Sequence, residues 1–281
     1  RRSSDLSMRM LLTLALFFVV AYLALVLLVY WGQSRLIYFP QRNLTDTPRD
    51  IGLDYTSVHI STADGEMLHG WWVAAPAAKG TVLLFHGNAG NISHRINYAS
   101  MFRRLGYNTL LLDYRGYGQS SGSPSESGMY RDARAAWLYV TETLGISPAQ
   151  IVLFGESLGG AVSAWLAAQE KPGLLVLAST FTSVPDLAAG LYPLLPVRWI
   201  SRFQYDTLKS LQSVTCPVLI VHSPDDEIIP FDHGQRLFQA ASEPKQFLQL
   251  EGGHNIGFVF MQPVWIRILS KFMAVHLTMP Q

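Results

Sequence analysis

The sequence predicts an α/β fold, in which a mostly parallel central sheet is flanked by helices and preceded by one N-terminal transmembrane helix. After residue 55, apolar runs of strand length alternate with amphipathic helical patterns, and this alternation is typical of a parallel sheet buried on both faces. The chain has 281 residues, of which 49% are hydrophobic and 15% charged, which is enough for one large domain with its own core. Ahead of that domain, residues 10–31 contain no charge.

The uncharged stretch is long enough to cross a bilayer, whose hydrocarbon core takes about 20 apolar residues. A cleaved secretory signal is the alternative, but its apolar region usually covers roughly 7–15 residues and ends at a small-residue cleavage site. Here the run ends in Tyr30 and Trp31, which suit a membrane interface, so we expect an uncleaved anchor. Arginines flank it on both sides, so the charge bias leaves open which side of the membrane carries the rest of the chain.

The anchor divides the chain into predicted parts with different compositions. These are an N-terminal tail (1–9), a transmembrane anchor (10–31), a juxtamembrane connector (32–54) and a catalytic-type domain (55–281). The connector is polar and contains Pro40 and Pro48, as expected of a loop.

Within the domain, local sequence patterns and the positions of glycine and proline predict each strand and helix. Ala63-Asp64-Gly65 lies between two strand-like runs and predicts a hairpin. Further apolar runs bounded by glycine or proline predict buried strands in GTVLLFHG, NTLLLDYRG, IVLFG, GLLVLAST, CPVLIVHS and KQFLQLEG. Helical patterns between and after them are ISHRINYASMFRRLG, SESGMYRDARAAWLYVTETLG, AVSAWLAAQE, PFDHGQRLFQAA and VWIRILSKFMAVHL.

Residues 182–210 interrupt this alternation. The segment is longer than an ordinary connection and rich in leucine, proline and aromatic residues, so we expect a lid over one end of the sheet. Pro193 and Pro196 prevent a long helix, and some of the apolar side chains must then lie at the surface. Beside Arg198 and Trp199 they suit a membrane interface, which predicts a lid that faces the bilayer. Burial of the same side chains in the core is the alternative.

The motif GESLGG contains a serine with a glycine two residues away on either side. Because a strand precedes it and a helix follows from about Leu158, the chain must turn sharply at Ser157. Side chains at Gly155 and Gly159 would clash in such a strained turn. The turn projects the hydroxyl beyond the carboxyl ends of the strands, at a helix N-terminus that favours a developing oxyanion. We therefore expect Ser157 to be a nucleophile.

A serine nucleophile needs a base, which is a histidine oriented by a carboxylate. On this fold the acid and then the histidine should follow in the chain, each after a strand. His254 lies in a glycine-rich turn beyond the last predicted strand, so we expect it to be the base. SPDDEIIP supplies Asp225 and Asp226 after the preceding strand, and the pattern alone does not choose between them. His222 is expected to pack beneath the site.

Five motifs, FHGNAGN, DYRGYGQSSG, GESLGG, SPDDEIIP and GGHN, together resemble those of the α/β-hydrolase family. Over roughly residues 55–275 the chain resembles its membrane-anchored branch of small lysophospholipase-, depalmitoylase- or peptidase-like serine hydrolases. In this family the acid loop reads Gly-x-x-Asp-x-x-Val-Pro, which puts Asp226 in the acid position, with Ser223 and Ile229 as mild departures. The resemblance implies a catalytic triad of Ser157, Asp226 and His254.

An oxyanion hole needs two N–H donors. One is expected to be the backbone N–H of Leu158, directly after the nucleophile. By resemblance to the family, the other is the backbone N–H of Asn88 in FHGNAGN. His86 in that motif, and Arg115 and Tyr117 in DYRGYGQSSG, are expected to hold their loops by hydrogen bonds rather than to contact the substrate.

These residues together predict a membrane-anchored serine hydrolase of carboxylic esters or thioesters, with lipids or lipid-modified proteins as substrates. A serine peptidase or an acyltransferase is the alternative on the same fold, and a non-catalytic binding module is the alternative from another class. A net charge of +1 with scattered Lys and Arg argues against nucleic-acid binding. No cofactor or metal is expected, because phosphate-loop, dinucleotide and zinc motifs are missing from the sequence. Cys216, the single cysteine, is expected to be a buried apolar residue, and the sequence leaves the oligomeric state open.

Overall fold

The structure, a computed structural model, describes residues 2–277. Residue 1 of the predicted tail and residues 278–281 of the predicted domain lie outside the described residues. The strands are β1 (Phe39–Pro40), β2 (Thr56–Ser61), β3 (Met67–Val73), β4 (Thr81–Phe85), β5 (Ala89–Gly90), β6 (Asn108–Leu112), β7 (Ile151–Glu156), β8 (Leu174–Ala178), β9 (Val218–His222) and β10 (Lys245–Gln249). The α-helices are α1 (Arg2–Ile37), α2 (Ile96–Leu105), α3 (Glu126–Leu138), α4 (Leu158–Glu170), α5 (Val184–Leu191), α6 (Val197–Ile200), α7 (Thr207–Leu211), α8 (Phe231–Ala240) and α9 (Pro263–His276).

The central sheet has the strand order β10-β9-β8-β7-β4-β6-β3-β2. Neighbouring strands are parallel from β10 through to β6, whereas the pairs β6–β3 and β3–β2 are antiparallel. β2 and β3 form the predicted hairpin, and Gly65 in its turn has a φ of 87°, which glycine adopts without strain. The predicted α/β fold with a mostly parallel sheet is confirmed.

Apolar side chains cover both faces of this sheet. On β4, Leu83 and Phe85 point into the core cluster that contains residues of α3, α4 and α8, while Val82 and Leu84 point into the cluster with residues of α2 and α9. Because successive strand residues face opposite sides, a strand of continuous apolar residues such as β4 is buried on both. A layer of helices thus covers each face of the sheet, and loops follow the carboxyl ends of the strands.

Helix α1 contains the residues of the predicted anchor. Between Met8 and Ile37 it is long and apolar enough to cross a membrane, and the rest of the chain buries none of its apolar window. The predicted anchor ended at Trp31, but the helix continues through Gly32 to Ile37. It ends shortly before Pro40, which could not continue a helix. The first part of the predicted connector is therefore helical.

The rest of the connector pairs with the domain instead of forming a free linker. β1 pairs in parallel with β5, in the loop that follows β4. The backbone N–H of Phe39 donates to the carbonyl of Asn88 at 3.0 Å, and the side-chain amide of Asn88 donates to the carbonyl of Ile37 at 2.8 Å. The end of α1 is thereby fixed to the loop that carries Asn88.

The predicted lid, residues 182–210, contains α5, α6 and most of α7. As the prolines predict, its helices are short: α5 ends at Leu191 before Pro193, and α6 begins at Val197 after Pro196. The segment between α5 and α7 lies against α1 through hydrogen bonds to Tyr22 and Gln33.

Candidate active site

Ser157 occupies the sharp turn between β7 and α4. Its backbone has φ 54° and ψ −120°, a conformation that costs a residue other than glycine on the order of 1–3 kcal/mol. A Cβ on Gly155 would overlap the carbonyl oxygen of Gly159, and a Cβ on Gly159 would overlap that of Phe85. The flanking glycines therefore allow α4 to pack closely against β7 and β4 while the serine points out of the turn.

His254 connects Ser157 to Asp226. Its Nε2 lies 3.2 Å from Ser157 Oγ, and its Nδ1 lies 2.7 Å from Asp226 Oδ2. Asp226 follows β9 and His254 follows β10, so the three side chains come from loops at the carboxyl ends of β7, β9 and β10, which share one edge of the sheet. The structure brings the three predicted residues into one hydrogen-bonded chain.

The Asp226 carboxylate is buried and surrounded by donors. Its Oδ1 accepts hydrogen bonds from the backbone N–H groups of Ile228 at 3.0 Å and Ile229 at 2.8 Å. Burial by itself raises the pKa of this carboxyl group, but hydrogen bonds from His222, His254 and the Ile229 amide outweigh it and hold the pKa well below its ordinary value. Asp226 is therefore ionised at neutral pH, as an orienting acid must be.

His222 packs beneath the site, as predicted, and also contacts Asp226. It is fully buried at the end of β9, with Nε2 3.4 Å from Asp226 Oδ2 and 3.0 Å from the carbonyl oxygen of Ile229. Sequence reasoning missed the contact with Asp226. The available signal was its place at the last position of a strand, four residues before the acid.

Glu227 holds the turn that carries His254. Its Oε2 accepts a hydrogen bond from the backbone N–H of His254 at 2.9 Å, and a Cβ on Gly253 would overlap the same carboxylate. Sequence reasoning missed this contact as well, because only the adjacency of β9 and β10 brings the two loops together. Asp225, on the other side of Asp226, is exposed to solvent.

The two predicted oxyanion donors belong to segments next to Ser157. Leu158 is the first residue of α4, where backbone N–H groups have no acceptor within the helix. Asn88 is in the loop after β4, and a Cβ on Gly87 would lie 3.3 Å from Ser157 Cβ, so this loop passes beside the serine. The hydroxyl of Tyr117 donates to the Asn88 carbonyl at 2.7 Å and holds the loop, as predicted.

His86 and Arg115 also hold loops and do not contact Ser157. His86 is buried with Nε2 3.4 Å from Asp113 Oδ1, and its Nδ1 lies 2.7 Å from the carbonyl of the next residue. Arg115 pairs with Asp64 and with the fully buried Asp132, both at 2.8 Å. The DYRGYGQSSG loop is thereby tied to α3 and to the β2–β3 hairpin.

The remaining chemically reactive groups do not extend the site. Cys216 is buried, and burial raises the pKa of its thiol to about 12, so it is an unreactive core residue as predicted. Within residues 2–277, no group of three or more His, Cys, Asp or Glu side chains is arranged to hold a metal ion.

Comparisons with known proteins agree with the fold. The model of the alpha/beta hydrolase fold family matches residues 80–189. An uncharacterized protein of Mycobacterium tuberculosis is 38% identical over 266 residues, which are 91% of this chain and 94% of that protein. The alpha/beta hydrolase domain-containing protein WAV2 of Arabidopsis thaliana is 34% identical over 233 residues, or 75% of this chain and 76% of that one.

Among solved structures, an esterase of Pyrococcus furiosus superposes with a TM-score of 0.71 at 19% identity, over 86% of this chain and 98% of that chain. At this identity the likeness shows a shared fold. Since the sequence matches extend over most of the chain and the fold agrees with them, the protein belongs to the α/β-hydrolase family.

Proposed function

We propose that the protein is a membrane-anchored serine hydrolase that cleaves carboxylic ester or thioester bonds through an acyl-enzyme. The observation that carries this proposal is the hydrogen-bonded chain from Asp226 Oδ2 through His254 to Ser157 Oγ, with distances of 2.7 and 3.2 Å. A hydroxyl in contact with an imidazole that is itself oriented by an ionised carboxylate is the arrangement that activates a serine for acyl transfer.

The chemistry divides into two half-reactions. Ser157 Oγ attacks the carbonyl carbon of the substrate while His254 Nε2 accepts the hydroxyl proton, and Asp226 stabilises the resulting imidazolium through Nδ1–H. The imidazolium then donates its proton to the leaving alcohol or thiol as the bond to the carbonyl carbon breaks, which leaves an acyl group on Ser157. Water repeats the sequence on the acyl-enzyme and releases the carboxylic acid.

The negative charge that develops on the carbonyl oxygen is stabilised by the backbone N–H groups of Leu158 and Asn88. Each such donor contributes about 3–4 kcal/mol of transition-state stabilisation in enzymes of this type. The N-terminus of α4 adds the positive end of its helix dipole at the same point.

The class of bond and the location are supported by separate observations. The Pyrococcus furiosus protein with the same fold is an esterase, which favours an ester or thioester over an amide. Helix α1 has the length and apolar composition of a membrane span. An enzyme held at a bilayer meets acyl chains there, so lipids or lipid-modified proteins are the substrates we propose.

The test of this proposal is covalent labelling of the full-length protein with a fluorophosphonate probe, which reacts with activated serines. We expect stoichiometric labelling of the wild type and none of the Ser157→Ala variant, since the probe requires the Ser157 hydroxyl. Hydrolysis of p-nitrophenyl esters of increasing chain length then reports the acyl preference. Folded wild-type protein that takes up no probe would overturn the proposal.

Glu227 provides a second prediction, because its carboxylate accepts a hydrogen bond from the backbone N–H of His254 and so positions the turn. Replacing it by alanine removes the hydrogen bond to the His254 N–H, and since the side chain is exposed we assign this bond only about 1 kcal/mol. Glu227→Ala should therefore lower kcat toward p-nitrophenyl acetate about fivefold, while Glu227→Gln, which still accepts the bond, keeps most of the activity. Asp225→Ala is the matched control and should change little. Equal losses in Glu227→Ala and Glu227→Gln would contradict the positioning role.

A further inference from the structure

Hydrogen bonds join the lid to α1 at two positions along the helix, Tyr22 and Gln33. The hydroxyl of Tyr22 donates to the carbonyl of Leu194 at 2.9 Å. Gln33 donates from Nε2 to the carbonyl of Ile200 and accepts on Oε1 from the backbone N–H of Arg202, both at 2.8 Å. Gln33 is only 7% exposed, although the apolar window of the same helix is unburied. The lid therefore runs along α1 from the level of Tyr22 to that of Gln33.

The level of Tyr22 lies within the part of α1 that a bilayer would cover. Tyr22 and Gln33 are about 16 Å apart along the axis, at about 1.5 Å per residue. No charged residue occurs between Arg9 and Arg35, and the hydrocarbon core takes about 20 residues of helix. Even a core that began directly after Arg9 would extend to about residue 29, some 10 Å beyond Tyr22. Leu194, bonded to Tyr22, would then lie in hydrocarbon.

The hydroxyl of Tyr22 and the carbonyl of Leu194 form a pair that a hydrocarbon environment favours. A hydroxyl or a carbonyl without a partner costs several kcal/mol there, and Tyr22 and Leu194 satisfy each other. Pro193 and Pro196, which flank Leu194 and its neighbour, have no N–H to satisfy. The Leu194 side chain is 86% exposed, which is unfavourable in water and favourable among lipid chains.

Charged and aromatic side chains lie closer to the C-terminal end of α1, where this helix would leave the hydrocarbon. The guanidinium of Arg202 lies over the rings of Tyr30 and Trp31, at 5.6 and 6.0 Å. Trp199 is 92% exposed and follows Arg198. Indole rings and arginines with apolar stems are the side chains that occupy the headgroup region.

We infer that α1 and the lid form one membrane-embedded unit, with Leu194 in the hydrocarbon and Trp199 among the lipid headgroups. The partner of this apolar surface is a phospholipid bilayer. The inference rests on the membrane anchoring in the proposed function, and it adds that Tyr22 and Gln33 hold the lid at a fixed depth. An ester dissolved in the bilayer would meet the lid without first entering water.

The experiment places a nitroxide on the full-length protein in phosphatidylcholine nanodiscs. Leu194→Cys carries the label. Val275→Cys is the control, because Val275 is also apolar and exposed but lies near the C-terminal end of α9. A Cβ on Gly80, the residue before β4, would overlap Leu277, so this part of the chain lies at the opposite end of the strands from Ser157. Cys216 is buried with an unreactive thiol, so it does not compete for the label.

We expect dissolved oxygen to speed the spin relaxation of the Leu194 label. A water-soluble nickel chelate should reach the Leu194 label at least tenfold less than the Val275 label. Equal access of the chelate to both positions would overturn the inference. Dipolar broadening between Leu194 labels would also overturn it, because a second copy of the chain would then cover the lid.

A double variant, Tyr22→Phe with Gln33→Ala, tests the fixed depth. Without the two side-chain attachments the lid should loosen, and the accessibility of the Leu194 label to the nickel chelate should rise at least threefold. Unchanged accessibility would remove the role we assign to these bonds.

Turnover of p-nitrophenyl acetate by the same samples separates this inference from the proposed function. If the protein hydrolyses the ester but its Leu194 label is accessible to water, the inference of a membrane-embedded unit is wrong and the proposed function stands. A lipid-buried label on a folded protein without turnover would overturn the hydrolase function and leave the unit standing.

Discussion

Replacing Ser157 by alanine is expected to lower kcat toward p-nitrophenyl acetate by about a millionfold, with little change in KM. Alanine offers no hydroxyl for His254 to deprotonate, so the acyl-enzyme cannot form. The oxyanion donors and substrate binding would leave a small residual rate above the uncatalysed reaction. Steady-state kinetics with a fluorescent ester are sensitive enough to follow this loss. A variant that keeps more than a hundredth of the wild-type kcat would exclude Ser157 as the nucleophile.

A glycine at the same position separates catalysis from backbone strain. Ser157→Gly should be as inactive as Ser157→Ala but more stable, because glycine adopts a φ of 54° without the penalty of on the order of 1–3 kcal/mol that other residues incur. After the entropic cost of a glycine, roughly 0.5–1 kcal/mol, a net gain of about 1 kcal/mol remains. Thermal denaturation should show a higher Tm for glycine than for alanine. Equal Tm values would mean that the turn carries no strain.

Asp226→Asn is expected to lower kcat about 10⁴-fold while leaving the fold intact. The side-chain carbonyl of the introduced asparagine could still accept from the Ile228 and Ile229 amides, but its NH₂ group would face His254 Nδ1. The imidazole would then carry its proton on Nε2, and a protonated Nε2 cannot accept the proton of Ser157. The measurement is kcat together with circular dichroism and Tm, so that a folding defect is not mistaken for a catalytic one.

Asp225→Asn is the matched control for this prediction. Asp225 is adjacent in sequence and identical in chemistry, but it is exposed, whereas Asp226 is buried and bonded to the imidazole at 2.7 Å. The Asp225→Asn variant should therefore keep most of its activity. If Asp225→Asn lost activity and Asp226→Asn kept it, the acid would be the other member of the pair.

Much of the fold could be predicted because its signals are local. The strands are short apolar runs between glycine and proline, so β4, β7 and β8 were recognisable one at a time. The tight turn at Ser157 leaves no room for side chains at Gly155 and Gly159. The five residues 155–159 are therefore enough to predict the turn. The order of acid and histidine along the chain then follows from the order of strands.

Contacts between distant segments carry no such signal. Gln33 and Ile200 are separated by 167 residues, and nothing in either segment indicates that they meet. The same limit explains why the sequence predicts an anchor that ends at Trp31. The polar residues after Trp31 resemble a linker, but Gln33 forms hydrogen bonds with the lid and the helix continues to Ile37. The contacts of Glu227 and His222 likewise depend on which strands are neighbours, and a single sequence leaves that open.

Cleavage by a protease is expected to have opposite results depending on where the chain is cut, because the end of α1 also holds the loop that carries Asn88. Asn88 is bonded to the carbonyl of Ile37 and the N–H of Phe39, and β1 pairs with β5 beside it. A cut ahead of Gln33 would remove the apolar part of the helix and leave these bonds in place, so the proposed activity should persist. A cut after Gln41 would free the segment that makes these bonds, which should loosen the loop that carries Asn88 and lower that activity.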